Sequence, residues 1–314
     1  MFDVISLGSP AVDYFFKTNN DFLTKINLKP EDDFLFQDKK IKPQYIFNNL
    51  KSVAKSAGGI SSNTAFVLST LGAKTSYIGV IGSDKDGKFW LSQMKGIDTS
   101  HVFKKGKMSL CFCLLTNNGK SRTFLSQVNV FENEFLKKLD DDFLNNTKII
   151  HIGPLIKDAQ EGIKLTIDLL NKVKKPKISF SPSIFYTSRG YEPILPILKR
   201  THVLFLNIRE LRYLIDDDPQ KGSKKILELG PKIVVCTMAG KGSLITTQDK
   251  QFKFSRINTK KVIDTTGAGD TYAAGFLYGL LKNKSLEWSA KNASEIASCS
   301  LGDYGLNWSR KDGL

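Results

Sequence analysis

Short apolar runs rich in β-branched residues recur along the chain at Phe2–Leu7, Thr75–Ile81, Ile149–Ile152, Ile178–Phe180, Val203–Leu206 and Ile233–Cys236. Between them lie longer stretches whose apolar residues fall three and four positions apart, among them Ser62–Leu71, Ala159–Val173 and Thr271–Leu281. The first pattern predicts strands and the second amphipathic helices. In Ser62–Leu71 the residues Ala65, Leu68 and Leu71 mark the buried face, and Gly72 stands where a left-handed residue would stop the helix. Strands that alternate with helical crossovers predict an α/β fold, a parallel sheet covered by helices on both faces.

Two segments depart from this alternation. Val12–Lys51 is polar and rich in Phe, with Pro30 and Pro43. In Met108–Ser126, Leu110, Phe112 and Leu114 alternate with Cys111, Cys113 and Leu115 ahead of Asn117-Asn118-Gly119. Asn and Gly tolerate the positive φ of a tight turn, so this segment reads as a hairpin. Together the two segments predict a small antiparallel flap outside the main sheet, at about residues 12–51 and 108–126 of a single 314-residue domain.

Composition narrows the field. A 41% share of hydrophobic residues over 314 positions fills a substantial core. The net charge of +15 raises the question of nucleic acid. The lysines are spread along the chain, however, and the densest groups (Lys104, Lys105 and Lys107; Lys172, Lys174, Lys175 and Lys177) are short and lack interleaved aromatics. They read as a solvated surface rather than a nucleic-acid site. Cys111, Cys113, Cys236 and Cys299 form no C-x-x-C pair, and three scattered histidines give no zinc-type ligand set. Without a basic leader or a bilayer-length apolar run, the expectation is a reduced, cytoplasmic protein that does not enter membranes.

The stretch richest in chemistry is Asp264-Thr265-Thr266-Gly267-Ala268-Gly269-Asp270, which opens the helix-compatible run to Leu281. Glycines at a helix start let backbone N–H groups approach an anion, and the helix dipole adds positive potential there. An aspartate in such a hole would repel a phosphate unless it has a chemical task, and accepting a proton from an attacking hydroxyl is one. The plain alternative is a turn with Asp270 as helix cap.

This segment resembles the D-T-x-G-A-G-D signature of the ribokinase-like (PfkB) carbohydrate and nucleoside kinases, and matches it in full. The resemblance implies a Rossmann-like sheet with a small β lid, Asp270 as catalytic base, and Gly267, Ala268 and Gly269 as the anion hole for the transferred phosphoryl. Gly58-Gly59-Ile60-Ser61-Ser62-Asn63-Thr64-Ala65 is similar to the first family signature. By that likeness Gly58, Gly59 and Asn63 contact substrate hydroxyls, with a helix-start cap as the plain reading of Asn63. Asp13, in Gly8-Ser9-Pro10-Ala11-Val12-Asp13, falls where the family binds sugar hydroxyls; on spacing alone it is a surface turn residue. Ala11 stands where ribokinases proper have Asn, which speaks against ribose.

Asn207-Ile208-Arg209-Glu210 resembles the family's N-x-x-E motif, implying Asn207 at the nucleotide and Glu210 as a magnesium ligand through water; a helix-start Glu is the alternative. Thr237-Met238-Ala239-Gly240-Lys241-Gly242 is similar to the nucleotide loop, with Thr237, Gly240 and Gly242 as candidate contacts and Ala239 in place of its first glycine. Some members bind potassium beside the anion hole, for which Asp264 is the candidate. The expected activity is transfer of the γ-phosphoryl of ATP, with Mg²⁺, to a sugar or sugar-like hydroxyl. The alternatives are an adenosine-like nucleoside kinase, suggested by Asp21–Pro30, and a non-catalytic sugar-sensing protein. A homodimer through the lid is the partner expectation beyond the small molecule.

Overall fold

The computed structural model describes residues 1–119, 121–128, 133–155, 159–257 and 262–310. Strand Phe2–Leu7 lies inside the main sheet, flanked in parallel by Thr75–Ile81 on one side and Thr147–Ile152 on the other. Beyond Thr147–Ile152 the order continues through Lys177–Phe180, Thr201–Asn207 and Ile233–Thr237, all parallel. The antiparallel hairpin Ser243–Thr246 and Gln251–Phe254 closes that edge. Strands Ile97–Asp98 and Val102–Lys104 pair with Thr75–Ile81 at the other. The chain thus builds outward on one side of Phe2–Leu7, then returns and builds outward on the other. That reversal is a topological switch point, and open α/β sheets bind ligands at the carboxyl ends of such strands.

Both faces of the sheet are buried, so its strands carry no polar face. Ile5, Leu7, Ile150, Ile152, Leu204, Leu206 and Val234 pack on one side against Ala159–Lys172, Ile208–Leu214 and Pro219–Glu228. Val4, Tyr77, Ile149, Val203, Phe205 and Val235 pack on the other against Ile60–Thr70, Ala268–Leu281 and Leu286–Ser300. Helix Ile60–Thr70 is buried from Ser61 to Leu68, with polar Ser61, Ser62, Asn63 and Thr64 included in the buried stretch. Gly275 and Gly279 let Leu286–Ser300 close against Ala268–Leu281: a Cβ at Gly275 would come within 2.7 Å of Ala293 Cα, and one at Gly279 within 2.2 Å of Ser289 Oγ.

The second sheet runs in the order Asp33–Leu35, Ser121–Gln127, Leu110–Thr116, Ala11–Lys17, Ser52–Gly58. It is mixed rather than antiparallel. Ala11–Lys17 lies parallel to Leu110–Thr116, and Asp33–Leu35 parallel to Ser121–Gln127. The first pairing follows from the main sheet, because Phe2–Leu7 and Val102–Lys104 are co-directional and each feeds the next small-sheet strand through a short link. The expected hairpin is present, with Asn117 at φ 51° and Gly119 at φ 85° in its turn; Lys120 lies outside the described residues. The polar segment after Lys17 forms helices Asn20–Lys25, Phe36–Lys39 and Pro43–Asn49. Leu23, Ile26, Phe36 and Ile46 join Phe16, Phe112, Leu114 and Leu125 in a separate core. The sheet also takes in Ser52–Gly58, beyond the expected boundary at 51. Among the described residues no helix is long and apolar enough to cross a membrane.

Candidate active site

The signature loop is organised by Asp264, which is buried. Its Oδ1 accepts from the Thr266 N–H at 3.1 Å and the Thr266 hydroxyl at 2.8 Å, and its Oδ2 accepts from the Gly305 N–H at 3.2 Å. These bonds shape the turn that ends at Gly267, whose φ of 76° suits glycine and which forms the N-cap of Ala268–Leu281. The Ala268 N–H turns back to Thr265 O at 3.3 Å. The N–H groups of Gly267, Gly269 and Asp270 find no acceptor among the described residues. A helix start with unclaimed donors is an anion site by its own chemistry.

Asp270 is the third residue of this helix, so it is not the cap. Its Oδ2 accepts from Asn63 Nδ2 at 2.7 Å, and its backbone carbonyl accepts from the Thr64 hydroxyl at 3.2 Å. Burial pushes the Asp270 carboxyl up to about 7, against the Asn63 hydrogen bond and the Arg122 charge, which pull it down. Asn63 is not a cap either. Gly59, at φ 106°, caps Ile60–Thr70, and Asn63 lies one turn further in. The Asn63 carboxamide oxygen is buried with no partner among the described residues.

Asp13 lies within strand Ala11–Lys17, not on a surface turn, and is 5% exposed. Its carboxylate occupies the space above Gly58, where a Cβ would meet Oδ2 at 2.2 Å, so the side chain of one residue requires the absence of the other's. Burial raises Asp13 to about 8, and the charges of Asp264 and Asp270 add to the rise. The fold therefore brings Asp264 and Asp270 within electrostatic reach of Asp13, more than 250 positions away in the chain.

On the next side stand the two remaining motifs. Asn207 and Thr237 end adjacent strands and are register partners. Asn207 Oδ1 accepts from the N–H groups of Arg209 and Glu210, both at 2.9 Å, and Glu210 Oε2 accepts from the Asn207 N–H at 3.0 Å. This is a capping box, so the helix-start reading of Glu210 holds as local structure. Burial also pushes Glu210 up to about 7, opposed by the Asn207 N–H and reinforced by the charges of Asp270 and Asp33. Thr237 Oγ1 donates to Leu206 O at 3.3 Å. In the loop that follows, Met238 N–H donates to Gly242 O at 2.7 Å, and Gly240 is exposed. Ala239 has φ 49°, a glycine-like conformation at the position where the sequence lacks the expected glycine. Gly242, at φ 85°, could carry no side chain, because a Cβ would lie 2.0 Å from Phe254 O.

Two arginines complete the site without having been visible in the sequence. Arg122, on strand Ser121–Gln127, donates from its guanidinium to the Thr265 hydroxyl beside the helix start. Arg209, between Asn207 and Glu210, donates to Glu31 O at 3.0 Å and Asp32 Oδ1 at 2.6 Å and pairs with Asp33 Oδ2 at 3.5 Å. Neither residue stands out in its local pattern. Arg122 follows a hairpin turn and Arg209 opens a helix, both ordinary places for a solvated cation.

A phosphate-sized helix start carrying a carboxylate, set at the switch point of a doubly covered sheet beneath a smaller sheet, defines an ATP-dependent phosphotransferase of ribokinase-like architecture. The sequence profile of the pfkB family of carbohydrate kinases matches residues 31–311, and the chain belongs to that family. An uncharacterised sugar kinase of Archaeoglobus fulgidus is 30% identical over 76% of this chain and 95% of its own. A 5-dehydro-2-deoxygluconokinase of Geobacillus kaustophilus is 26% identical over 78% and 79%. Among solved structures, the adenosine kinase of Sinorhizobium meliloti superposes with a TM-score of 0.82 over 97% of this chain and 95% of that one, at 19% identity, a likeness of fold. The family assignment sets aside the non-catalytic alternative: the chain is a kinase.

Proposed function

We propose that the chain transfers the γ-phosphoryl of ATP to a hydroxyl of a sugar or sugar-like molecule, with Asp270 as the base. The observation that carries this reading is the placement of Asp270. Its carboxyl is held by Asn63 at 2.7 Å, one residue past an unclaimed helix-start N–H, and is raised to about 7. A base with that affinity takes a proton at neutral pH and can release it again. Asp13 and Asn63 bind substrate hydroxyls, with Gly58 and Gly59 keeping the backbone close. The unclaimed amides of Gly267 and Gly269 meet charge on the transferring oxygens, joined by Arg122 from the small sheet, and the Ala268 N–H joins them only by giving up its 3.3 Å bond to Thr265 O. In this reading the small sheet is a lid that excludes water from the reacting centre.

Asn207, Thr237, Gly240 and Gly242 form the nucleotide side. Magnesium needs only one or two carboxylates besides phosphate oxygens and water. Glu210 fits that need: one oxygen serves the capping box, and the repulsion from Asp270 and Asp33 that raises its affinity for protons also favours a cation. Bound there, the ion would neutralise charge on the phosphates. Asp264 remains the candidate beside a potassium site, although its oxygens already accept from Thr266 and Gly305.

A second reading, a nucleoside acceptor, is favoured by the surface next to Asp13. Half-buried Cys111, Phe124 and Tyr304 present its accessible face, laid over the fully buried Phe15, Cys113 and Leu115, with the Phe15 and Tyr304 rings 5.3 Å apart. Such a surface suits a flat heterocycle better than a bare polyol. ADP release measured across pentoses, hexoses and nucleosides separates the two readings. Turnover with one class is the expected result, and release with none of them at saturating ATP and Mg²⁺ would contradict the proposal.

A further inference from the structure

Arg209 sits within a motif read as a nucleotide-side element, yet apart from Tyr213 on its own helix its partners belong to segment 31–33, which leads into small-sheet strand Asp33–Leu35. Its guanidinium donates to Glu31 O and Asp32 Oδ1 and pairs with Asp33 Oδ2, while its carbon plane lies over Tyr213 with 5.9 Å from Cζ to the ring centroid. Segment 31–33 is in turn fastened to the strand that bears Arg122. The Phe124 N–H donates to Asp32 O at 2.9 Å, and the Glu31 N–H donates to the Thr123 hydroxyl at 3.1 Å. That hydroxyl donates to Lys29 O at 3.2 Å. Asp33 and Phe124 are register partners in the parallel pair. An unbroken path of hydrogen bonds and ion pairs therefore runs from Arg209 through residues 31–33 to strand Ser121–Gln127. It ends where Arg122 meets Thr265 beside the helix start.

We infer that Arg209 is a positioning residue, a latch that holds segment 31–33 against the main sheet and so sets Arg122 over the phosphoryl-transfer site. The inference rests on the phosphotransferase reading for its consequence, but the latch itself is a structural statement. A planar guanidinium suits the task, since its fork engages several acceptors of fixed geometry at once, which a lysine cannot do. The pairs are half-exposed, with side-chain exposures of 40% for Arg209 and 33% for Asp32, so the latch is strong enough to bias the lid and weak enough to release it.

The test compares Arg209→Gln, Asp32→Asn, the double variant and Arg209→Lys, by amide hydrogen exchange and by kinetics with the best acceptor from the substrate panel. Each single loss should speed exchange at residues 29–35 and 121–127 by about three- to tenfold, the scale of a half-exposed charge-assisted contact. The double variant should be no worse than Arg209→Gln alone, and Arg209→Lys should recover part of the protection. The same variants should raise acceptor KM, lower kcat and increase ATP hydrolysis relative to transfer, because a loosened lid admits water. Unchanged exchange in Arg209→Gln, or effects of Arg209→Gln and Asp32→Asn that add, would overturn the latch. Faster exchange with unaltered kinetics would overturn its role in positioning Arg122. If wild-type protein phosphorylated no acceptor, the functional reading would fail while the exchange data still decided the latch.

Discussion

Gly58 and Asp13 occupy one volume between them, and this pairing links backbone chemistry to substrate choice. The Gly58→Ala change should force the Asp13 carboxylate aside, because the new Cβ would lie 2.2 Å from Oδ2. Acceptor KM should then rise in the same direction as in Asp13→Ala, where a substrate hydroxyl left without its partner costs about 1–3 kcal/mol, or roughly five- to a hundredfold in affinity. ATP affinity should stay near wild type in both variants. Calorimetry that found unchanged acceptor affinity in Asp13→Ala would remove Asp13 from the site. At this scale the sequence was informative wherever chemistry and spacing coincide, as in Asp264 to Asp270. It was silent on Arg122 and Arg209, whose partners lie about 140 to 180 positions away. Their neighbours in the chain carry no trace of those contacts.

Elements were legible in proportion to their burial on both sides. Phe2–Leu7 and Thr75–Ile81 appear with the expected bounds, since alternate residues such as Val4 and Ile5, or Tyr77 and Ile78, feed different cores and leave a mostly apolar run. Thr147–Ile152 and Thr201–Asn207 gained residues at their ends, where polar Thr147 and Asn207 hide the strand. Segment 12–51 supplies strands Ala11–Lys17 and Asp33–Leu35 to the expected small sheet, but their pairings to Leu110–Thr116 and Ser121–Gln127 are parallel, and its three short helices are absent from the sequence reading. A helix of four to seven residues offers too few turns for a 3.6-residue period to emerge. Asn63 and Asp270 show the converse. Both residue types suit caps, but glycine took the cap at each helix, which left their side chains free to bond to each other across the cleft.

Among the described residues four carboxyls of this region stand above their ordinary range: Asp13 at about 8, Asp270 at about 7, Glu210 at about 7, and Asp33, which is also raised. Burial is the leading cause in each. A carboxyl raised in the fold binds protons that the unfolded chain has already lost, so its contribution to stability is complete below its unfolded value. That contribution fades as pH rises through the folded one. The unliganded protein should therefore lose thermal stability between pH 6 and pH 8.5. Buried His151, lowered to about 3 by desolvation, works the other way only as pH falls below about 6.5. Thermal midpoints in that window should decline for wild type and decline less for Asp13→Asn; a flat or rising wild-type curve would contradict burial of these carboxyls as the cause of their raised values.

The central claim is that Asp270 accepts the proton, and kcat together with the pH dependence of kcat/KM in wild type and Asp270→Asn tests it most directly. Asn preserves the size of the side chain and an oxygen for the Asn63 hydrogen bond, and it removes an anion from a site built for anions, so the variant should fold and bind ATP as well as wild type or better. Wild-type kcat/KM, which reports the free enzyme, should rise with pH through a step near 7, where the Asp270 carboxyl loses its proton. In Asp270→Asn, kcat should fall by at least about 10²-fold, the scale of general-base loss, and that step should vanish. A folded Asp270→Asn protein that binds ATP and turns over at near wild-type rate, with the step intact, would contradict the account.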